Sequence, residues 1–556
     1  MESQPEISEA SKEPGIVQDR LNWKLACRDD VKVAQELYAG EEIEEMHELS
    51  DAGLLDEFFV FLEELGMMQA FEQMRLPGVK RVLVPTVQFV LLYLLKVLFG
   101  GQSMNELPRV LFSNLGLMEL VGFNAHQCEE GLTKRGDAQR TTKKKQGPIT
   151  PQCLADNISK LGEQEMEHLL NQMVQLLARR SFFTGPLLVA LDGSKLPTPR
   201  SYEGCGKLKQ TRNVKIKGQQ EAATEEYYVY GWKVLVLIEV HTRLPLAMKV
   251  VKIQEYEGSW LVPLLEQAQR NLGEQAHIGT IVVDRGYLDG EDLWQVHQKG
   301  IVFVIVGKSN MAVVQDAQGL AKGEGAVVRE RVVSRGHGTK ATQERLRTEL
   351  VGISALTSYD SYGKAEQTKS AHRRDYSGQS INAVVVRRWE NHLPKGGGTV
   401  YLTNGQVSDP FLIFDTYDWR SVIENGIFKE GKHPWHLLRF PKRTEAAVVV
   451  HCFFTLLVMA LCTAFRLWQA QAATTASSAT EVLPTLSSSL LGAEGTTRWR
   501  QRLREENRDK IIVFIGHAYG IFHLAEFALL THLPLRRLPP SLGSPQAVLQ
   551  RFGIRP

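Results

Sequence analysis

Three short apolar runs, Leu187–Leu191, Ile278–Val283 and Ile301–Val306, set the tightest limit on what this chain can fold into. Each is too short for a stable helix and lacks the polar alternation of a half-exposed strand. A strand that is apolar on both faces must be covered on both faces, which is the condition of a central strand in a mostly parallel sheet. Around them, Tyr227–Val240 and Leu244–Val251 read as two long strands joined by the turn His241-Thr242-Arg243, while 260–272 and 289–299 read as helices. The order β-β-β-α-β-α-β predicts an α/β domain.

Two of the three runs end in an aspartate. Asp192 opens Asp-Gly-Ser and Asp284 opens Asp-Arg-Gly, so each apolar strand is expected to stop in a turn at its carboxyl end. Groups at the carboxyl ends of neighbouring parallel strands converge on one crevice. Two aspartates side by side there repel unless a divalent cation lies between them, and hard oxygen donors suit magnesium or manganese. An Asp-Gly pair is also a common turn dipeptide, so each aspartate alone is equally well read as a turn residue.

A third acidic group comes from the segment 417–432, which predicts a helix beginning near Tyr417. At helical spacing Tyr417, Arg420 and Glu424 fall on nearly one stripe, with apolar Val422, Ile423, Ile427 and Phe428 beside them. On its own, an Arg–Glu pair one turn apart is a solvated helix pair worth a few tenths of a kcal/mol.

These features together resemble the DDE transposases of bacterial insertion sequences. The resemblance runs from about residue 110 to 465 and is carried by 111–124 (LFSNLGLMELVGFN), 189–196 (VALDGSKL), 282–293 (VVDRGYLDGEDL), 400–404 (VYLTN) and the Tyr417–Arg420–Glu424 helix. The spacing agrees, with 92 residues from Asp192 to Asp284 and 140 from Asp284 to Glu424. The long second gap is similar to the β-rich insertion that one transposase group carries before its catalytic helix.

The resemblance implies an RNase H-like catalytic core in which Asp192, Asp284 and Glu424 hold two Mg2+ or Mn2+ ions for metal-assisted phosphoryl transfer. It implies cleavage of transposon ends and strand transfer into target DNA. The expected partners are double-stranded DNA, both terminal inverted repeats and target, and a second copy in a homodimeric synaptic complex. Tyr417 and Arg420 match the family's Y-x2-R-x3-E motif, whose tyrosine and arginine grip DNA phosphate; an arginine fork suits that task better than lysine. The family's helix continues E-x6-K, but position 431 is Gly431 and the lysine is Lys432. On an α-helix Lys432 lies about 80° off the face of Glu424, and Gly431 is expected to end the helix. Lys432 is carried over as a phosphate-binding residue that is one position out of register. Where some relatives use a tryptophan at the start of VYLTN to hold a flipped base, this chain has Thr399; Trp389 and Tyr401 are the nearest alternatives.

The implied plan is an acidic flexible leader (1–50), a helical N-terminal domain for DNA-end recognition (51–182), and an RNase H-like core (183–307 and 411–468). A β-rich insertion (308–410) interrupts the core, and a low-complexity linker with a small helical C-terminal segment (469–556) follows it. Charge supports the division: residues 1–70 hold 18 Asp/Glu against 5 Lys/Arg, which leaves about +15 on the remainder of a chain whose net charge is +2. A basic body suits a polyanionic partner. Basic clusters stand at 131–150, 200–217, 329–347, Arg373/Arg374, Arg387/Arg388 and 498–510; each is read as solvated surface or as a source of phosphate contacts.

The six cysteines form no CxxC pair, which argues against a zinc site or disulfide framework and fits a reducing cytoplasm. The apolar runs Val82–Phe99 and Val448–Phe465 are broken by Pro85, Gln88 and Lys96 and by His451. They predict core helices rather than membrane spans. His433 and His436 are read as a packed turn. The expected setting is the bacterial cytoplasm, at the nucleoid. Two other readings remain open: a transposase-derived DNA-binding protein without catalysis, and a general RNase H-like nuclease.

Overall fold

The computed structural model describes residues 27–49, 52–78, 84–132, 147–214, 223–335, 342–363, 379–390, 393–394, 398–477, 509–535 and 537–555. The first half of the expected leader, most of the basic stretch 131–150, Lys215, Lys217, Arg373, Arg374, most of the low-complexity linker and residues 498–508 lie outside the described residues. The strands are β1 (Cys27–Arg28), β2 (Glu45–Glu48), β3 (Pro186–Thr198), β4 (Gly206–Val214), β5 (Ala223–Glu239), β6 (Pro245–Lys252), β7 (His277–Val283) and β8 (Val302–Val306). They continue with β9 (Val327–Arg335), β10 (Thr342–Leu356), β11 (Ile381–Glu390), β12 (Leu393–Pro394), β13 (Thr399–Thr403), β14 (Lys510–Ile515) and β15 (Ala518–His523). The chain divides into two compact units, one from Met1–Leu169, His433–Arg466 and Glu494–Pro556, the other from Leu170–Lys432 and Leu467–Ala493.

The second unit is built on an 11-stranded sheet in the order β4-β5-β3-β7-β8-β13-β11-β10-β9, with β6 also on β5 and β12 on β11. The three apolar runs are its mutually parallel strands: β3 pairs with β7 and β7 with β8. The remaining pairings are antiparallel, so the expectation of a mostly parallel sheet is corrected to a mixed α/β sheet with a parallel centre. The reason is local. Helices Leu261–Leu272 and Gly290–Gln298 provide the crossovers that parallel neighbours need. Between residues 308 and 410, β9 to β13 extend this same sheet, and β13 pairs directly with β8.

β4 was not expected. Its polar residues form a long hairpin with β5, held by Arg212–Glu225 and Lys209–Glu226 ion pairs, each 2.8 Å, and by a Tyr227–Gln210 hydrogen bond of 2.8 Å. Two of the basic residues in the 200–217 cluster are therefore neutralised across the ladder.

The helix Glu445–Ser477, which belongs to the first unit up to Arg466, has a 27-residue segment long and apolar enough to span a bilayer, and its apolar window is wholly buried. Phe465 packs on Phe58 and Phe61 with ring centroids 5.5 and 5.6 Å apart, and each such fully buried side chain contributes roughly 1.5–3 kcal/mol. His451, the polar residue in the run, is satisfied by the Tyr93 hydroxyl (2.8 Å to Nδ1) and the His436 carbonyl (3.1 Å from Nε2). Burial pushes its pKa down to about 3, so the ring stays neutral. The Thr86–Leu98 helix that carries Tyr93 is likewise buried along its length.

The C-terminal segment is not purely helical. Residues 510–523 form a β14–β15 hairpin about Gly516, whose φ of +57° suits glycine. That hairpin joins β1 and β2 in a four-stranded sheet of order β1-β15-β14-β2. Val33, Leu37, Ile511, Val513, Phe522 and Phe552 pack in its core, so chain segments about 480 residues apart in sequence share one core.

Candidate active site

β3 and β7 run side by side from Pro186 opposite His277 to Leu191 opposite Val283, with a one-residue register shift between Leu187 and Leu188. Asp192 and Asp284 are the next residue on each strand. The two then diverge. Asp284 leaves the sheet and caps the turn 285–287, its Oδ1 accepting from Gly286 N at 2.6 Å. Asp192 does not end its strand: β3 continues through Gly193 and Ser194 to Thr198, with Asp192 opposite Val236 of β5.

The turn reading of Asp-Gly-Ser is thus corrected, and Gly193 has a different cause. A Cβ there would lie 2.8 Å from Glu257 Oε2 and from Leu235 Cδ2, so the position needs glycine for close approach. Glu257 is itself held by Lys233 at 2.8 Å.

The segment carrying the third carboxylate is built from two helices. The first runs Pro410–Asp418, started by the Asp409 side chain on Phe411 N and by proline in its first turn. It therefore begins well before Tyr417, which lies in its last turn. A turn at 419–420 follows. From Ile423 to Lys429 the chain is a π-helix and continues helically through Glu430–Lys432. Gly431 does not end it. Seven α-helical residues make about two turns, and an i→i+5 turn takes in one more. Lys432, eight residues beyond Glu424, is thereby returned to the face that an α-helix would have turned it from. Its Nζ donates to Ser194 Oγ at 2.7 Å.

Ser194 lies two residues after Asp192 on β3 and so shares its face. On that face Arg420 is the hub. Its Nη1 lies 3.2 Å from Asp192 Oδ2 and 2.6 Å from Glu424 Oε1. Tyr417 lies alongside, its ring centroid 6.0 Å from the guanidinium carbon and 4.7 Å from the Tyr401 ring. Trp419 packs edge-on against His241 of the β5–β6 turn at 5.1 Å. The structure therefore brings together Asp192, Arg420, Glu424, Tyr417 and Lys432, with Asp284 at the end of the adjoining strand.

The electrostatics of the site are set mainly by burial. Asp192 is 8% exposed, and its carboxyl is pushed up to about 7. Burial is the main cause; the Gly193 N–H and Arg420 pull it back, and Asp284 and Glu424 push it further. Burial also lowers the Lys432 ammonium and raises the Tyr417 phenol. Three carboxylates are hard donors of the kind magnesium and manganese take, and a proton-hungry Asp192 marks where a cation would be welcome. In type and number the donors fit. Arg420 now spans Asp192 and Glu424, and the tight group of ligand atoms among the described residues, all within 4.8 Å, is a different one: Glu45, His47 and Glu119 of the first unit.

Sequence reasoning missed Ser194, the Lys233–Glu257 pair and Tyr287. Tyr287 is fully buried and its hydroxyl has no hydrogen-bond partner among the described residues. Burial, then the charges of Glu257, Asp192 and Asp284, keep that phenol protonated. Its place within the 282–293 motif is the one signal the sequence offers for it.

Residues 183–461, half of the chain, match the family described as the transposase DDE domain. No curated protein matches the chain. Among solved structures, a cryo-EM structure of a piggyBac transposase synaptic complex with hairpin DNA is similar with a TM-score of 0.36 and 8% identity, covering 85% of this chain and 79% of that one. A likeness that slight decides nothing about fold or residues.

Proposed function

The chain belongs to the family of the transposase DDE domain, and from that premise we propose that it cleaves the ends of its own element and joins them to target DNA. The observation that carries this reading is the meeting of Asp192 and Glu424 on Arg420, beside Asp284 on the parallel neighbour strand. The order β6-β5-β3-β7-β8, antiparallel and then parallel, supports an RNase H-like core.

In this reading Asp192, Asp284 and Glu424 would hold one or two magnesium or manganese ions. When bound, these ions supply activation of the attacking oxygen and stabilisation of the leaving oxygen. The chain's own residues do the positioning. Arg420 offers a planar fork to phosphate, and its present carboxylate partners hold that fork over the site. The Tyr417 ring, backed by Tyr401, fixes the wall beside it. Lys432 and Ser194 give a second point of phosphate attachment on the same face of β3. With the lysine back in line, the displaced motif is no longer a reason to favour a decayed, non-catalytic copy. The proposed partners are the element's terminal inverted repeats and target DNA, with a second copy completing the synaptic complex at the bacterial nucleoid.

The test is cleavage of a duplex that carries the terminal repeats from the DNA flanking the coding region. Wild type is expected to nick it in magnesium or manganese, and Asp192→Ala, Asp284→Ala and Glu424→Ala are each expected to abolish nicking. Cleavage that survives these substitutions removes the site assignment. Cleavage that ignores the repeats favours a general nuclease instead.

A further inference from the structure

The extended part of the large sheet carries a second concentration of function-bearing side chains, outside the carboxylate site. A cleft of about 270 Å³ opens between β9, β10, β11 and the Pro410–Asp418 helix. Arg329, Arg331 and Arg388 line it, with Asp418 beside them and Asp415 paired to Arg329. The strand register explains the grouping. Arg331 faces Leu346, Thr348 faces Arg329 and Arg388, and residues directly opposite share a face. Arg329, Arg331 and Arg388 therefore project to the same side of the sheet as one another.

Most of these guanidiniums are already oriented. Arg329 stacks on Phe411, 3.8 Å from ring centroid to guanidinium carbon, and is held by Asp415 at 2.7 Å. Arg388 lies over Phe414 at 5.1 Å. A guanidinium held flat on an aromatic ring keeps its edge donors outward and loses less freedom when it meets an anion. Arg331 and Arg388 are exposed. Both act electrostatically on Asp418, the residue after Tyr417, and Arg388 also hydrogen-bonds Tyr401, whose ring packs on Tyr417. The cleft is thus joined to the carboxylate site by the Tyr401–Tyr417 pair, within one unit.

We propose that this arginine cleft is a DNA-strand track, in which Arg331 and Arg388 grip backbone phosphates of the strand whose scissile bond lies at Asp192, Asp284 and Glu424. The inference rests on the transposase reading above and adds to it the residues that receive the strand beyond the reacting phosphate. The inserted β9–β11 strands are then a binding surface, where Arg420 and Lys432 act only at the reacting phosphate. Preformed arginine forks in a cleft match a phosphodiester, which accepts two hydrogen bonds per phosphate side by side.

The experiment is fluorescence anisotropy of full-length protein with a fluorescein-labelled duplex made from the DNA flanking the coding region, repeated across salt concentrations. Each phosphate neutralised contributes about 0.9 to the slope of log K against log salt. Arg331→Ala/Arg388→Ala is expected to lower that slope by about 2 and to weaken binding roughly tenfold or more at fixed salt. Arg331→Lys/Arg388→Lys keeps the charge but not the fork, so it is expected to keep the slope and lose affinity several-fold. Thermal denaturation checks that both variants fold. Asp192→Asn, measured alongside, is expected to bind with the full wild-type slope while failing to cleave. A double alanine variant that folds and binds with the wild-type slope and affinity overturns the cleft and leaves the transposase reading standing. A wild-type protein that neither binds nor cleaves the duplex overturns both.

Discussion

The parallel centre of the large sheet and its antiparallel extension are parts of one hydrogen-bonded ladder, yet they answer to different demands. In β3, Leu187, Val189, Ala190 and Leu191 are at most 5% exposed, and Phe303, Val304 and Ile305 of β8 are completely buried. Packing leaves those side chains no choice, and what varies is only what stands at the strand ends. In β9 the situation is reversed. Val327, Val328 and Val332 are 48%, 44% and 62% exposed, and arginines alternate with them. Burial does not dictate those identities, so chemistry can. The rigid centre fixes where Asp192 and Asp284 stand; the open extension offers guanidiniums to whatever lies along it.

The comparison breaks first if the centre turns out to be dispensable for chemistry. Asp284→Asn and Glu424→Gln are expected to reduce cleavage by a thousandfold or more, on the order expected for losing a group that acts in the transition state. Duplex affinity should stay within a few-fold, and parallel cleavage and anisotropy measurements check both. A substitution that weakened binding as much as cleavage would merge the two regions into one binding surface.

The difference in packing carries the next largest effect. Phe303→Ala, in the centre, is expected to cost about 3–5 kcal/mol of folding stability. Val332→Ala, in the extension, is expected to change it by no more than about 0.5 kcal/mol. Denaturant titration of the two variants measures the contrast directly.

Asp192 offers a subtler test, because it is a buried carboxylate. Its folded pKa of about 7 lies above the usual aspartate value. Between that usual value, about 4, and 7 the folded protein keeps a proton that the unfolded chain has released. Stability is therefore lost as pH rises through this window. Asparagine is neutral in both states. In metal-free buffer Asp192→Asn is expected to be more stable than wild type at pH 8, by roughly 1–3 kcal/mol, and no different near pH 4. Equal stability at both pH values would mean that burial does not raise the Asp192 carboxyl.

The smallest effect belongs to the realigned lysine. Lys432→Met is expected to slow cleavage roughly tenfold, about one charge-assisted hydrogen bond. Ser194→Ala should slow it less, since the lysine can still reach phosphate. Single-turnover rates check the order of the two.

What could be read from residues alone follows the same division. The centre was legible because a continuous apolar run bounded by aspartate has few alternatives, and the i, i+4 relation of Arg420 and Glu424 survives any helix boundary. The Asp409-Pro410 pair is an equally legible helix start, a capping aspartate followed by proline. The π-helix was not legible. One added residue can end a helix, loop out or widen a turn, and only the contact between Lys432 and Ser194 distinguishes these outcomes. The β14–β15 hairpin had its own signal, a β-branched run and a glycine turn. Its pairing with β1 depends on a core shared across almost the whole chain, which no local window contains. The parallel direction of β3, β7 and β8 followed from the crossovers, whereas the antiparallel extension depended on turns whose register the residues did not announce.

The central claim is that Asp192 is a metal-binding carboxylate, and replacing its oxygen donors by sulfur tests it most directly. A thiolate favours softer cations and disfavours magnesium. Asp192→Cys is expected to lose cleavage of the terminal-repeat duplex in Mg2+ and to regain a substantial part of it in Mn2+, while wild type works in both. Undiminished cleavage by Asp192→Cys in Mg2+ would contradict the account.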